Sequence, residues 1–219
     1  MKQIFVLIGL FFPMFCFCQE SNLGNWWIYF GNKKIDAKWN WHHEVQYRNY
    51  NAIGDLEQLL LRTGIGYNLS ENNNNLHLGY GYILSQNYLN NSDETLRTNE
   101  HRVYQQFITR QSIGRVSVQH RYRFEQRWIE KQPIKYRFRY FLSLNIPINH
   151  PEMADKTFYA SVYNEVFLNT KNVIFDRNRL FLGLGYKLNN TARFELGYMN
   201  QFLNNQSRDQ INVITFLSF

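Results

Sequence analysis

The sequence predicts an all-β chain closed into a transmembrane antiparallel β-barrel of about 10–12 strands. Three observations carry this reading. First, the stretch from Gly114 to Trp128 alternates with period two. Val116, Val118, His120, Tyr122 and Phe124 fall on one face, and Ser117, Gln119, Arg121, Arg123, Glu125 and Arg127 fall on the other. Successive strand residues point to opposite sides of a sheet, so one face is mostly apolar while the other carries four formal charges. A barrel in a membrane uses both faces, with lipid outside and water or paired ions inside. Second, the same alternation recurs almost to Phe219. Third, aromatics make up 17% of the chain and only 4 prolines interrupt it, which favours strands over helices.

The first eighteen residues are expected to lie outside the fold. Met1-Lys2 gives a charged start, Ile4 to Phe12 is apolar, and Pro13 precedes a short segment ending at Cys18. This is the pattern of a secretory signal peptide, with cleavage expected after Cys18 and a single barrel domain over 19–219. A lipoprotein signal is the rival, although Phe15 and Phe17 are large for the positions before a lipidated cysteine. Both cysteines lie in this leader, so the remainder has no thiolate metal ligand, disulfide or cysteine nucleophile. The mean hydropathy of −0.48 does not oppose a membrane location, because barrel strands dilute each apolar residue with a polar neighbour.

Strands are predicted near 25–33, 37–50, 56–69, 75–88, 98–112, 114–128, 133–146, 156–169, 177–189, 191–203 and 209–219. The breaks carry turn residues: Asn72 to Asn75, Asn90-Asn91-Ser92-Asp93, Asn149-His150-Pro151, Asn189-Asn190 and Asn204-Asn205. Outward ladders follow from parity, including Leu76, Leu78, Tyr80, Tyr82 and Leu84, then Tyr136, Phe138, Tyr140, Leu142, Leu144 and Ile146, then Leu180, Leu182, Leu184, Tyr186 and Leu188. Gly64, Gly66, Gly79, Gly81, Gly183, Gly185 and Gly197 fall on the polar face, where they admit close neighbours inside a narrow barrel. None sits in the strand–loop–helix context of a nucleotide fingerprint. Eleven segments is an awkward count, since single-chain bacterial barrels have even numbers. Either one further strand is present, or the segment near Trp26 to Phe30 is not a full spanning strand.

Several motifs occur in order: Glu100-His101-Arg102, Arg121-x-Arg123-Phe124-Glu125-x-Arg127, Arg137-x-Arg139-Tyr140, Glu165-x-Phe167-x-Asn169, and Phe175-Asp176-Arg177-Asn178-Arg179 followed by Gly183-Leu184-Gly185-Tyr186. In this the chain resembles the domain-of-unknown-function 2490 family of Gram-negative outer-membrane proteins. The resemblance implies an outer-membrane barrel and supplies no catalytic residue. The terminal Phe219 looks like the C-terminal aromatic that outer-membrane assembly machinery recognises.

The candidate site is a row of inward charges: Glu100, Arg102, Arg123, Glu125, Arg137, Arg139, Glu165 and Arg179. Hairpin arithmetic predicts Glu100 and Arg102 beside Glu125, Glu125 beside Arg137, Arg123 beside Arg139, and Glu165 beside both Arg137 and Arg179. One reading is a salt-bridge belt that fills the barrel, since buried charges must be paired. Another is a selectivity ring, because Arg62, Arg115, Arg121, Lys135, Lys187 and Arg193 add further bases to the same face and a basic constriction favours anions. The net charge of +7 falls to +6 once Lys2 is discounted. The expected partners are outer-membrane lipid, the assembly machinery and a small anionic solute. Nucleic acid is excluded, because the bases interleave with acids and form no exposed groove.

A lipid-modifying enzyme is the third class. It has little to rest on: the histidines are scattered, with His42 and His77 inward and His43 and His120 outward, and no HExxH or GxSxG pattern occurs. No cofactor or metal site is predicted.

Overall fold

A computed structural model describes residues 23–51, 54–70, 73–89, 92–171 and 173–219. The leader expected over 1–18 lies outside the described residues, as do Asn72, Asn90 and Asn91 of two predicted turns. Eleven strands follow one another: β1 (Leu23–Lys34), β2 (Trp39–Asn49), β3 (Leu56–Asn68), β4 (Asn74–Tyr88), β5 (Thr95–Ile113), β6 (Val116–Ile129), β7 (Lys135–Pro147), β8 (Thr157–Asn169), β9 (Phe175–Lys187), β10 (Ala192–Phe202) and β11 (Ser207–Ser218). Each predicted segment is a strand. The largest boundary differences are at β5 and β9, which begin earlier than the alternation suggested.

Neighbouring strands pair antiparallel in sequence order, and β1 closes on β11 to make a barrel with no free edge. The odd count is accommodated at this seam, where β1 and β11 run parallel, with Leu23 opposite Asp209 and Asn32 opposite Ser218. An up-and-down meander of odd strand number can close only through one parallel pair. The segment around Trp26 is therefore a full strand, hydrogen-bonded on both sides. A second consequence is that the chain enters β1 at one rim and leaves β11 at the other. These are called here the N-terminal rim, which carries the β2–β3, β4–β5, β6–β7, β8–β9 and β10–β11 connections, and the C-terminal rim.

The connections run from two residues (114–115) to nine (148–156), as short as the strand breaks predicted. Their local chemistry is specific. Between β1 and β2, Asp36 Oδ1 accepts the backbone N–H groups of Lys38 and Trp39 at 2.7 Å each. Those two donors favour the charged carboxylate and hold it below the ordinary aspartate range. Between β5 and β6, Gly114 takes φ 57°. A two-residue hairpin turn with positive φ at its first central position alone, as here where Arg115 keeps a negative φ, is a type II′ turn, whose twist matches the strands it joins.

Alternation alone does not say which face is inside. In the folded barrel the apolar ladders face outward and the charges face inward. Leu78, Leu182 and Leu196 stand about 60% exposed on the wall, while Glu44, Glu125 and Gln210 are fully enclosed. No helix among the described residues is long and apolar enough to cross a membrane.

The lumen has two unlike walls. Behind the parallel seam, Trp26, Ile28, Phe181, Met199 and Ile214 form an apolar cluster, with Phe30, Tyr163 and Phe216 against it. The opposite wall, across β2 to β9, carries the charges. Inward glycines make space for aromatic rings, as their parity suggested. An ideal Cβ on Gly79 would lie 2.2 Å from Tyr104 Cζ, and one on Gly185 would lie 2.1 Å from Tyr159 Cζ. Both rings are buried and lie flat over backbone that has no side chain to displace them.

Candidate charge belt in the barrel lumen

The eight residues predicted for the belt are all buried and all face the lumen. Glu125 is its centre. Its Oε2 accepts Arg137 Nε at 3.0 Å and Nη2 at 2.6 Å, and its Oε1 accepts Arg139 Nη1 at 2.6 Å. Arg123 Nη1 stands 3.5 Å from the same Oε1. Arg139 continues the chain through Nε and Nη2 to Glu165 Oε1, at 3.1 and 2.6 Å. Glu165 also receives Arg121 Nη2 at 2.7 Å, and Arg179 Nη1 stands 3.8 Å from its Oε2. The β6–β7 and β8–β9 registers place Glu125 opposite Arg137, Arg123 opposite Arg139 and Glu165 opposite Arg179, as hairpin arithmetic predicted.

Two predicted neighbours are corrected by the register. Glu125 lies opposite Tyr104, not Glu100 or Arg102. The turn centres between Gly114 and Arg115, about one and a half residues later than the prediction assumed, and this slides the partner strand by three positions. Glu100 instead forms its own node, accepting Arg102 Nε at 2.5 Å and Nη2 at 2.9 Å, and Arg127 Nε at 2.6 Å and Nη2 at 3.0 Å. Glu165 lies opposite Phe141 rather than Arg137, whose register partner is Asn169. The nine-residue β7–β8 loop moves the hairpin centre, and Arg137 turns to Asp176 at 2.8 Å.

Four members of the network, Asp176, Arg127, Glu44 and Phe167, were neither in the predicted row nor among its further bases. Asp176 and Arg127 extend it toward the N-terminal rim. Glu44 on β2 accepts Arg62 Nη1 at 2.6 Å, with His42 Nε2 at 3.7 Å from its other oxygen. The alternation of His42, Glu44, Gln46 and Arg48 with Trp41, Val45 and Tyr47 is the same signal that placed β6. Phe167 is the fourth. It is buried, and the guanidinium carbons of Arg139, Arg179, Arg137 and Arg177 lie 4.4, 4.7, 5.1 and 5.9 Å from its ring centroid. The negative face of an aromatic ring attracts such cations, so Phe167 helps seat arginines that the carboxylates neutralise.

The predicted additional bases behave differently from one another. Arg62 and Arg121 join the network. Lys187 reaches Met153 O at 2.8 Å and Asp155 at 3.8 Å near the C-terminal rim. Arg193 lies over the Phe216 ring at 3.9 Å. Arg115 is exposed and donates to loop carbonyls, including that of Pro147.

The histidines take the sides predicted for them. His77 stacks on Tyr104 inside the barrel. On the wall, His43 bonds Tyr29 Oη at 2.8 Å and His120 bonds Tyr140 Oη at 2.9 Å, and His101 bonds Tyr80 Oη at 2.5 Å. The hydroxyl partner of each wall histidine is thus a tyrosine phenol. Among the described residues no cluster of histidine, aspartate and glutamate is arranged to hold a metal ion. A concavity of about 910 Å³ is lined mainly by outward apolar residues such as Trp39, Leu76, Phe107 and Phe138, with Arg123 and Arg139 of the belt also at its lining.

A closed eleven-stranded barrel with an apolar wall and a lumen crossed by arginine–carboxylate pairs defines the structural class. Residues 23–212 match the family described as a protein of unknown function, DUF2490, and the chain belongs to that family. It is also 30% identical over 178 residues to an uncharacterized protein of Methylorubrum extorquens, covering 75% of this chain and 72% of that one.

Proposed function

We propose that this protein is an integral outer-membrane β-barrel whose lumen is held shut by its own charges, a structural barrel rather than an open porin. The observation that carries the reading is Glu125. It is 0% exposed, and both of its oxygens are taken by arginines that are themselves tied to Glu165 and Asp176. A selectivity filter needs charges that a passing ion can reach. Here the acids of the belt are bound by neighbouring strands, and the apolar cluster fills the other wall. The outer-membrane location is supported by the apolar ladders on a closed wall, which satisfies every strand edge as a bilayer requires, and by the secretory pattern of the first eighteen residues. Strands of 11 to 19 residues are long enough, when tilted, to cross a hydrocarbon core that takes about 9–11.

The experiment is planar-bilayer recording of the purified, refolded protein. The expected result is a silent membrane at concentrations where a general porin gives steady unitary steps. Reproducible anion-selective steps from the folded barrel would overturn the closed-lumen reading in favour of a basic channel.

A further inference from the structure

The charges of the belt answer one another, but one buried cation has no carboxylate in contact: Glu57, the acid whose charge acts on it from beyond 4 Å, is held by Arg208 at 2.7 Å. Arg48 lies on the inward face of β2 near the N-terminal rim and is 5% exposed. Its Nε and Nη2 donate to Gln46 Oε1 at 3.0 and 2.6 Å, and its Nη1 donates to Gln58 Oε1 at 2.9 Å. Among the described residues no carboxylate oxygen lies within 4 Å of it. The buried arginines 62, 102, 123, 137, 139 and 179 each have one. Amide oxygens satisfy N–H groups but do not cancel a full charge, and a buried charge without a counter-ion is costly.

The surroundings repeat the same deficit. Trp26, the register partner of Arg48, carries the Arg48 guanidinium 3.7 Å from its ring centroid and that of Arg179 at 4.8 Å. Arg179 is itself weakly held, with Gln201 Oε1 at 2.8 Å and its carboxylate partner only at 3.8 Å. Trp26 is 2% exposed, and its indole N–H has no acceptor. An indole N–H can only donate. Asn212, the partner of Trp26 on β11, presents an Oδ1 without a donor. One water could bridge that pair, but it would leave the Arg48 charge as it is. Two cations and a donor-only group around one ring call for an acceptor that also carries negative charge.

We propose that Arg48, Trp26 and Arg179 form a binding site for a small oxyanion, a carboxylate or phosphate group, inside the barrel near the N-terminal rim. The site shares Arg179 with the Glu165 end of the belt but involves neither Glu125 nor its two arginine partners, and it does not require an open lumen. The anion supplies the missing counter-charge and accepts the indole hydrogen bond, and it makes the folded barrel more stable by mass action.

The test uses the full barrel refolded in uncharged detergent, with unfolding followed by heat-modifiable gel mobility at constant ionic strength. Sodium phosphate and sodium acetate are titrated separately against sodium chloride in the low millimolar range, where general salting effects are small. The expected result is a saturable rise in the unfolding midpoint with one or both oxyanions, phosphate alone pointing to a phosphate group and acetate alone to a carboxylate. Arg48→Gln removes the rise. Trp26→Phe keeps the ring and weakens binding about tenfold, the scale of one hydrogen bond to a charged group. Arg97→Gln, an exposed control, leaves the rise intact. A folded wild-type barrel with no saturable response overturns the site without touching the closed-lumen reading, which bilayer recording tests separately. An identical response in Trp26→Phe also overturns it, and that variant decides the matter if Arg48→Gln does not fold.

Discussion

Replacing Glu125 with glutamine lowers the unfolding free energy of the barrel by about 3 kcal/mol, the lower part of the range for breaking a buried ion pair. The substitution conserves volume and leaves the amide nitrogen facing guanidinium groups that need acceptors. Arg137 keeps Asp176 and Arg139 keeps Glu165, which holds the loss to the lower end. Arg123 is left with Gln106 as its hydrogen-bond partner and no carboxylate. The comparison is Asp155→Asn, which cuts the exposed 3.8 Å contact with Lys187 and costs about 0.5 kcal/mol or less, as surface pairs do. Urea unfolding in detergent micelles measures both. Equal midpoints for the two variants would mean that the belt does not hold the barrel together.

Gly185→Ala destabilises the barrel by about 3 kcal/mol, at the upper end of what overpacking a filled core costs. The added Cβ falls 2.1 Å from Tyr159 Cζ and 2.5 Å from its hydroxyl oxygen. The ring cannot step aside freely, because it is buried and its Oη donates to Glu195 Oε1 at 2.8 Å. Moving it breaks a hydrogen bond to a carboxylate, which adds to the packing cost. Gly81→Ala is the control. Its nearest neighbour is Arg62 Cγ at 3.1 Å, a full ångström farther than Tyr159 Cζ lies from the Cβ added at Gly185, so the loss is smaller. The same unfolding assay ranks the two. A Gly185→Ala barrel as stable as Gly81→Ala would show that the tyrosine does not occupy the space over the glycine.

The parts of this architecture that follow strict period two were legible in the sequence. The face carrying Arg121, Arg123 and Glu125 is the inward face, and the β6–β7 partners Glu125–Arg137 and Arg123–Arg139 fell at their predicted register because that hairpin centres on residue 131, the middle of the predicted strand break. Register failed where turn geometry decides it. Gly114 takes a positive φ and centres the β5–β6 hairpin on itself and Arg115, which moves Glu100 away from Glu125 and onto Arg102 and Arg127. The long β7–β8 loop displaced Glu165 from Arg137 in the same way. Parallel closure of β1 on β11 leaves no local mark, since each strand alternates alike whichever direction its neighbour runs. The Arg48–Trp26–Arg179 cluster was hidden for a related reason: Trp26 and Arg48 pair in the β1–β2 hairpin, but only closure brings Arg179 of β9 to them around one lumen. Glu44 was within reach, because β2 alternates as clearly as β6.

The central claim is that the apolar ladders face lipid while the charges close the interior, and nitroxide accessibility tests it most directly. The chain after Cys18 contains no cysteine, so single cysteines can be placed at will. Spin labels at Phe138, Leu182 and Leu196, all strongly exposed on the wall, are compared in bilayers with labels at Lys131 and Asn189 in the rim turns. The account predicts that relaxation at the three wall positions is dominated by lipid-soluble oxygen, and at the two rim positions by a water-soluble nickel chelate. Nickel-dominated relaxation at Phe138, Leu182 and Leu196 in a folded, vesicle-associated barrel would contradict it.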